Sequence, residues 1–428
     1  MRMGSRWTVY VRAFAPRSGD DLRSTVALAI LLLGALALAG CAERDASVLL
    51  PDSTPPEISG LVQSGGRVTW QTSEDCDCVL LYGSKLGIYD HYGYSVDDGG
   101  RAHEIDLIDI ESGRYYFRVM ATDQAGNTAA SPETSMVLAD LPAPDKFVYT
   151  MVDVGWGDCH FLEFPNGTRV MIDAGQSSHA TDVGAFLNAR HVPAPAGVTY
   201  MIATHAHADH YGSFRGSLLV LYHDTEFLAP ESPSVSVWPY LDEFLVPQQI
   251  PTHGLVAGQT NENTDFLKWD EEHGVKVKVL AAGSGRLFTP GVASDSVNCD
   301  SAVLKVSFGA VDFLLTGDAE EFTEDLMIKT CGDELACEIL KVGHHANDDA
   351  SSDLFLRRVG ARVGLVSNSL EENDGVFDQT VIRLLRENGI DYYVTDRVYM
   401  NAGRTDQPQH GNVTVTTDGE TYVVSSWK

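Results

Sequence analysis

Basic residues are scarce in this sequence of 428 residues. It contains 30 Lys and Arg against 60 Asp and Glu, which gives a formal net charge of −30 at pH 7. Proteins that bind long nucleic acids usually present a basic stripe, and this composition counts against that class. Because the acidic residues are scattered along the chain, they favour solubility over a specific cationic partner.

Long hydrophobic runs are also lacking. The apolar run Val26–Ala39 is shorter than the roughly 20 residues that a membrane-spanning helix needs. It follows five arginines, Arg2, Arg6, Arg12, Arg17 and Arg23, as in a secretory signal peptide. Its end, Leu38-Ala39-Gly40-Cys41, resembles the lipobox of bacterial lipoproteins. We therefore predict a signal peptide over residues 1–40 and lipidation of Cys41, with an uncleaved membrane anchor as the alternative. This places the protein in the exported cell envelope, on its periplasmic or extracellular face.

The sequence contains seven cysteines. Cys76-Asp77-Cys78 has no second pair at zinc-finger spacing, so we interpret it as structural. An exported protein can oxidise its thiols, and Cys331 and Cys337, which bracket a short segment, are the best disulfide pair. The pairing stays open at this level.

Residues 41–53 have the composition of a tether, and residues 54–140 read as a small all-β domain. Short alternating runs such as Arg67–Thr72 and Tyr115–Ala121 are separated by turn residues, which suits a sandwich. Thr54-Pro55-Pro56, Trp70 and Tyr115 give this segment a resemblance to fibronectin type III domains, in which both aromatic residues would be structural. The resemblance implies a protein or glycan partner for this domain, or a spacer role.

Residues 146–428 are predicted to form a layered α/β domain. Strand-like runs give way to β/α alternation after Gly317, and Asp378–Asn388 has an apolar helical face. The strongest chemical signal is His205-Ala206-His207-Ala208-Asp209-His210, after the apolar strand Val198–Ala203. In an extended chain His205 and His207 point to one side and can share a cation, while Asp209 and His210 can face a second.

Three further motifs place polar groups where an apolar strand ends. They are Asp173 in Ile172-Asp173-Ala174-Gly175, Asp318 in Thr316-Gly317-Asp318, and the paired His344-His345 after Ile339–Val342. A rigid sheet presents such groups to a common cleft.

These motifs together resemble the metallo-β-lactamase-fold hydrolases, and in particular the branch of ComEC-like domains and phosphorylcholine esterases. Asp153-Val154-Gly155-Trp156-Gly157-Asp158 matches that branch's Asp-Val-Gly-Gln-Gly-Asp, and Asn298-Cys299-Asp300-Ser301 its Asn-x-x-Ser. The resemblance implies an αββα sandwich that holds two divalent metal ions, with zinc favoured and manganese as the alternative. Trp156 and Ala346-Asn347 depart from the branch's Gln and Gly-Ser, which leaves the substrate in doubt.

The resemblance also assigns roles. His205, His207 and His344 would hold one metal, Asp209 and His210 the other, and Asp318 would bridge them. Asn298 stands where many relatives have a further histidine and is a weaker ligand. Asp173 would orient a ligand imidazole. His345 would either steady an oxyanion or donate a proton, or serve as a structural neighbour.

The expected chemistry is hydrolysis by a metal-bound hydroxide, with Asp209 or Asp318 accepting the proton of the attacking water. Small or cell-surface phosphodiesters are the favoured substrates, and the protein would reach the membrane through its lipid anchor. Lactones or other carboxyl derivatives are the alternative. The rival from a different class is a surface lipoprotein that binds a partner without catalysis.

Overall fold

The computed structural model describes residues 52–96, 100–108, 110–139, 141, 145–231, 237–283, 297–369, 379–395 and 411–427. Ser53–Lys428 form one compact unit. The predicted signal peptide, Cys41 and all but the end of the tether lie outside the described residues. Within the described part of the chain, no helix is both long enough and apolar enough to cross a bilayer.

The strands are numbered in chain order. They are β1 (Ile58–Ser64), β2 (Arg67–Thr72), β3 (Cys76–Gly83), β4 (His91–Ser95), β5 (Ala102–Asp106), β6 (Gly113–Asp123), β7 (Thr128–Ala130), β8 (Thr134–Leu138), β9 (Phe147–Met151), β10 (His160–Glu163), β11 (Arg169–Ile172), β12 (Tyr200–Ile202), β13 (Glu226–Pro230), β14 (Thr252–Leu255), β15 (Lys276–Ala281), β16 (Val303–Phe308), β17 (Val311–Leu315), β18 (Ile339–Lys341), β19 (Val363–Val366), β20 (Asp391–Val394), β21 (Asn412–Thr417) and β22 (Thr421–Trp427).

The helices are α1 (Ala180–Ala189), α2 (Ala208–Tyr211), α3 (Leu218–Leu221), α4 (Trp238–Gln248), α5 (Glu321–Thr330), α6 (Asp353–Val359) and α7 (Gln379–Glu387). Short 3-10 turns include Ser177–His179, Gly212–Phe214, Asp265–Leu267, Asn298–Asp300, Gly332–Leu335 and Gly343–Ala346. The α7 helix buries Val381 and Leu385 of the predicted apolar face together with Ile382, and Leu384 is partly buried.

The C-terminal part has four layers, which confirms the αββα prediction. One sheet contains β14-β13-β12-β11-β10-β9-β21-β22 and the other β15-β16-β17-β18-β19-β20. Alternate strand residues such as Val170 and Ile172 face the core between the sheets, while Met171 faces the helical layer that includes α1. On the far side Leu314 and Leu340 pack with the helices α5 to α7.

The N-terminal strands are arranged as two sheets, which is compatible with a β-sandwich. The first has the order β1-β2-β5, and the second joins β4, β3 and β6, with β7 and β8 both on β6. Trp70 is buried in the core between them, and the Tyr115 hydroxyl donates to the backbone oxygen of Glu111 at 3.2 Å. Membership of the fibronectin type III family stays a prediction.

The sandwich is joined to the C-terminal part by continuous strand pairing. His91–Ser95 of β4 pairs antiparallel with Ser425–Thr421 of β22, so both parts share one sheet. The β3 strand is buried on both faces, with Leu80 in the sandwich core and Leu81 in the core between the large sheets. The sandwich is therefore packed as an extension of the larger sheet.

The cysteines that follow Cys41 all lie among the described residues, and none of them forms a disulfide. The predicted Cys331–Cys337 bond is not formed. Cys337 is buried in the core between the second large sheet and its helices, and Cys331 is the C-terminal cap of α5.

Candidate metal centre

The site lies where parallel strands of the two large sheets end. β11 pairs parallel with β12, and β17, β18 and β19 are parallel neighbours. Asp173 and Thr204 follow the first pair, whereas Asp318 and His344 follow strands of the second sheet. Because parallel strands end at the same edge, motifs more than 100 residues apart meet in one cleft.

The first ligand group consists of His205, His207 and Asp318, whose donor atoms lie within 4.8 Å of one another. His205 Nε2 is 3.1 Å from His207 Nδ1 and 3.8 Å from Asp318 Oδ2. The other ring nitrogen of His205 faces the hydroxyls of Thr204 and Ser301, at 3.1 and 3.3 Å. Two nitrogens thus converge beside a carboxylate oxygen.

The second ligand group consists of Asp209, His210, Asp318 and His345. The carboxylate oxygen Asp318 Oδ2 lies 3.0 Å from His210 Nε2 and 3.4 Å from His345 Nε2. Asp209 Oδ2 is 3.6 Å from His345 Nε2. Asp318 therefore faces both groups through the same oxygen.

The paired histidines sit on a strained turn. His344, His345 and Ala346 have φ values of 44°, 52° and 65°, a region that L-residues rarely adopt. This turn aims both rings at Asp318 Oδ2, with His344 Nε2 at 3.9 Å. Backbone strain of this kind clusters at functional sites, where the surrounding structure maintains it.

The outer nitrogens of these rings are held by partners that leave Nε2 available. His344 Nδ1 is 2.7 Å from Asp349 Oδ1, and His345 Nδ1 is 3.0 Å from the backbone oxygen of Ser367. A histidine that donates from Nδ1 presents the lone pair of Nε2 to a metal.

Asp173 has the same effect on His210. Its Oδ2 lies 2.7 Å from His210 Nδ1, while Thr204 donates to Oδ1 from its backbone nitrogen. Asn298 lies beside His344, where its Nδ2 donates to Glu320 at 2.9 Å and is 3.3 Å from His344 Nε2.

Burial and charge together set the ionisation of the ligands. Burial lowers the pKa of His205 well below its ordinary value, and His210 lowers it further, which favours the neutral ring. Burial alone would raise the pKa of Asp318, but His210 and His345 hold it well below the ordinary value. Burial would also lower the pKa of His210, but Asp318 and Asp173 raise it well above the ordinary value. A bound dication takes the place of such protons.

Two buried polar atoms beside the ligand groups fit a metal. Among the described residues, Asn298 Oδ1 and His345 Nε2 are buried without a hydrogen-bond partner. Such atoms are rare in folded proteins and call for an explanation. The His and carboxylate donors suit zinc or a similar divalent ion.

The structure brings His205, His207, Asp209, His210 and Asp318 together in the two ligand groups, whereas His344 groups with Glu320 and Asp349 and reaches Asp318 Oδ2 only at 3.9 Å. His345 enters the second ligand group, where sequence reasoning gave it only proton donation, oxyanion binding or a structural role. Asp158 and Lys341 were quoted within motifs but given no role, and both are fully buried beside the ligands. The feature of the sequence that could have indicated a role for Lys341 is its position as a charged residue at the end of the apolar strand β18.

The structure explains why the Asp153–Asp158 loop has a glycine at position 157. It has a φ of 125°, and a Cβ there would lie 2.3 Å from the backbone oxygen of Asp209. The loop therefore packs directly on the backbone of the ligand segment. Trp156 beside it has its ring centroid 4.7 Å from that of His345.

Comparison with known proteins defines the class. The family model of the metallo-β-lactamase superfamily matches residues 152–368, just over half of the chain. The chain belongs to this superfamily, whose members are metal-dependent enzymes, hydrolases among them, and it carries the His and Asp groups of a divalent-metal site.

Three curated relatives are similar over parts of their length. The uncharacterized protein YcaI of Escherichia coli K12 is 28% identical over 232 residues, which are 53% of this chain and 26% of the relative. The competence protein ComA of Neisseria gonorrhoeae is 29% identical over 99 residues, 23% of this chain and 14% of ComA. Recombination protein 2 of Haemophilus influenzae is 34% identical over 77 residues, 18% of this chain and 9% of that protein. The chain thus spans about a quarter or less of each.

Solved structures are only distantly similar. CmlA, a diiron β-hydroxylase from Streptomyces venezuelae, aligns with a TM-score of 0.41 and 10% identity over 79% of this chain and 75% of CmlA. A flavoprotein from Thermotoga maritima aligns with a TM-score of 0.28 and 13% identity over 80% of this chain and 72% of the flavoprotein. Scores this low do not bear on function.

Proposed function

We propose that this protein is a metal-dependent phosphodiesterase. The observation that carries the proposal is the place of Asp318 Oδ2 in both ligand groups, 3.0 Å from His210 Nε2 and 3.8 Å from His205 Nε2. A carboxylate oxygen shared in this way suits two closely spaced cations, with zinc favoured and manganese as the alternative. Such pairs stabilise the attacking and leaving oxygens of an in-line displacement at phosphorus.

The residues divide the work between them. His205, His207 and His344 would hold one ion, Asp209, His210 and His345 the other, and Asp318 would join them, with Asn298 at the rim. When bound, the cations lower the pKa of a water and offset charge on the phosphate. His345 therefore changes from the proton donor of the sequence interpretation to a ligand in this proposal.

Asp209 is the better proton acceptor of the two acids. Its side chain is 20% exposed, whereas that of Asp318 is 2% exposed and faces ligand nitrogens. A carboxylate that reaches the cleft can take the proton of an attacking water and pass it to solvent. Asp318 would then serve only as the ligand that joins the two groups.

Phosphodiesters are preferred over carboxyl compounds because of the sequence resemblance to ComEC-like domains and phosphorylcholine esterases. The charge of −30 favours small or cell-surface substrates over long nucleic acid. Export and lipidation of Cys41 belong to the same proposal and would place the enzyme at the cell envelope.

The test combines metal analysis with a panel of substrates. The purified protein should contain up to two transition-metal ions and hydrolyse bis-p-nitrophenyl phosphate with added zinc or manganese. Hydrolysis of a lactone or a β-lactam in preference to the phosphodiester would overturn the substrate assignment. Less than one bound ion and no hydrolysis of any substrate would instead support a non-catalytic binding lipoprotein.

Lipidation is tested separately in cells. The protein should fractionate with membranes and carry a lipid on Cys41, and Cys41→Ala should release it into the soluble fraction. A Cys41→Ala protein that stays with the membrane by the same amount would contradict the anchor.

A further inference from the structure

A buried ion pair lies directly behind the metal ligands. Lys341 Nζ is 2.5 Å from Asp158 Oδ2, and neither side chain is exposed. Lys341 also donates to the backbone oxygen of Gly317 at 2.8 Å. The role of this pair is not explained by the hydrolytic scheme above.

Stability is a poor explanation for the pair. Desolvating two charges offsets most of their attraction, and apolar residues of similar volume often stabilise a protein as well or better. Lys341 follows Ile339 and Leu340 on a fully buried strand, where a methionine would suit the packing. A charge retained in such a place points to a function for the charge itself.

The geometry indicates what that function is. Lys341 Nζ lies 3.5 Å from Asp318 Oδ1, while Asp318 Oδ2 is the oxygen that faces the histidine nitrogens. The two oxygens of the bridging carboxylate therefore have different neighbours, a fixed cation on one side and the ligand nitrogens on the other. A free carboxylate between two dications could instead rotate and use one oxygen for each.

Asp158 extends the same support to the histidines. Its Oδ1 is 3.4 Å from His345 Nδ1, and its Oδ2 is 3.9 Å from His210 Nδ1. Its backbone nitrogen donates to the Asp209 oxygen at 3.2 Å. Asp158 thus contacts the lysine, His210 and His345 through its carboxylate and Asp209 through its backbone nitrogen.

We propose that Lys341 is a positioning residue that holds Asp318 Oδ1, so that only Oδ2 would be left for a divalent ion. Asp158 holds Lys341 in place and links it to His345. The inference rests on the proposed metal site and is independent of which substrate is cleaved.

The first experiment measures metal binding rather than turnover. The metal-free protein is titrated with zinc or manganese alone, and the cobalt form is examined by electronic absorption, which reports coordination. Lys341→Met should lower the binding affinity for at least one of the two ions by about 10–100-fold, as the loss of a residue that supports a ligand does. It should also change the absorption spectrum of the cobalt form. Lys341→Arg, which keeps the charge, should recover part of the affinity.

A matched control is available in the same sheet. Lys305 on β16 is 16% exposed and pairs with Asp312 at 2.6 Å, away from the metal ligands. Lys305→Met should bind both ions with the affinity and the cobalt spectrum of the unaltered protein.

A double variant separates positioning from folding. Lys341→Met alone leaves Asp158 as an unpaired buried charge, which can unfold the protein. Asp158→Asn with Lys341→Met removes both charges, and the proposal still expects the weaker binding and the altered spectrum. Unchanged metal affinity and an unchanged spectrum in this double variant would overturn the inference.

The failure of the proposed function would look different. If the unaltered protein binds no metal, the proposed metal site itself is wrong. If the protein binds two ions but leaves phosphodiesters untouched, the substrate proposal fails, while the effect of Lys341→Met on affinity still decides the role of Lys341.

Discussion

The Nδ1 atom of His210 lies 2.7 Å from Oδ2 of Asp173, and both side chains are fully buried. This carboxylate also accepts from the Thr204 hydroxyl at 2.6 Å. It therefore sets both the tautomer and the orientation of a metal-ligand ring.

Asp173→Asn should weaken metal binding by about 10–100-fold, because the amide can no longer accept from both His210 and Thr204. Titration of the metal-free protein with zinc measures the effect. Asp312→Asn, at a partly buried aspartate away from the cleft, is the control. Equal affinities in the two variants would show that Asp173 does not orient the ligand.

Removing a ligand should have a larger effect on catalysis than removing any other histidine of similar exposure. We expect His207→Ala to lower kcat/KM for bis-p-nitrophenyl phosphate by at least about 100-fold. His253 pairs with Glu226 at 2.7 Å and stacks on Phe266, outside the ligand groups, so His253→Ala should leave activity within about twofold. Comparable losses in both variants would contradict the site.

The left-handed turn at Ala346 limits which side chains can stand there. Ala346 is buried at a φ of 65°, so a β-branched residue would add steric strain and overpack the core. Ala346→Val should lower the free energy of unfolding by about 2 kcal/mol or more, whereas Ala346→Gly should change it by less than about 1 kcal/mol. Urea unfolding followed by circular dichroism distinguishes these outcomes, and a valine variant as stable as the glycine variant would show that the turn is not strained.

A buried acid holds the segment that follows this turn. Glu324 accepts from the backbone nitrogens of Ser351 and Ser352, at 2.5 and 3.0 Å. Burial raises the pKa of Glu324 from 4.5 to about 7, against the lowering effect of these hydrogen bonds.

The direction of the pH dependence follows from this shift. Between about pH 4.5 and 7 the unfolded chain loses the proton that the folded protein still holds, so stability should fall as the pH rises, by up to about 1.4 kcal/mol per pH unit. In the metal-free protein, Glu324→Gln should flatten this dependence. Glu321→Gln, at an exposed acid on the same helix, should not. Melting temperatures between pH 5 and 8 provide the measurement, and parallel curves for both variants would contradict the assignment.

The shared sheet predicts that the sandwich and the metal-binding part unfold together. Arg362 donates to the backbone oxygens of Ser95 and Cys78, at 3.2 and 3.1 Å, and the hydroxyls of Tyr94 and Tyr393 are 2.5 Å apart. Arg362→Met should lower the free energy of unfolding by about 1.5–3 kcal/mol, as expected for hydrogen bonds to a charged group. Fluorescence and circular dichroism should report a single transition in urea. Two separate transitions in the unaltered protein would show that the sandwich is an independent domain.

The strands of the C-terminal part were readable from local pattern. The predicted apolar strands Val198–Ala203 and Ile339–Val342 contain the slightly shorter strands β12 and β18. A continuous apolar run is typical of a strand that is buried on both faces. The pattern does not report which strands become neighbours, so the pairing of β4 with β22 was not predicted.

The residues that converge in the two ligand groups could also be picked out from the sequence, because several motifs with His and Asp stand at the ends of apolar strands. The sequence did not assign His345 to the ligands, since adjacent residues normally point to different sides of an extended chain. Three consecutive left-handed residues bring both rings to one oxygen. That geometry comes from the packing of the turn around Glu324 and Ser351, which no local pattern encodes.

The sequence by itself determined the layered fold, the superfamily motifs and the ligand types, because each depends on short-range periodicity and on side-chain chemistry. Only the tertiary structure decided which oxygen of Asp318 meets the ligands and which meets Lys341. That choice depends on strands β17 and β18 lying side by side with Asp158 against them, and contacts between segments far apart in sequence are created only when the sheets pack.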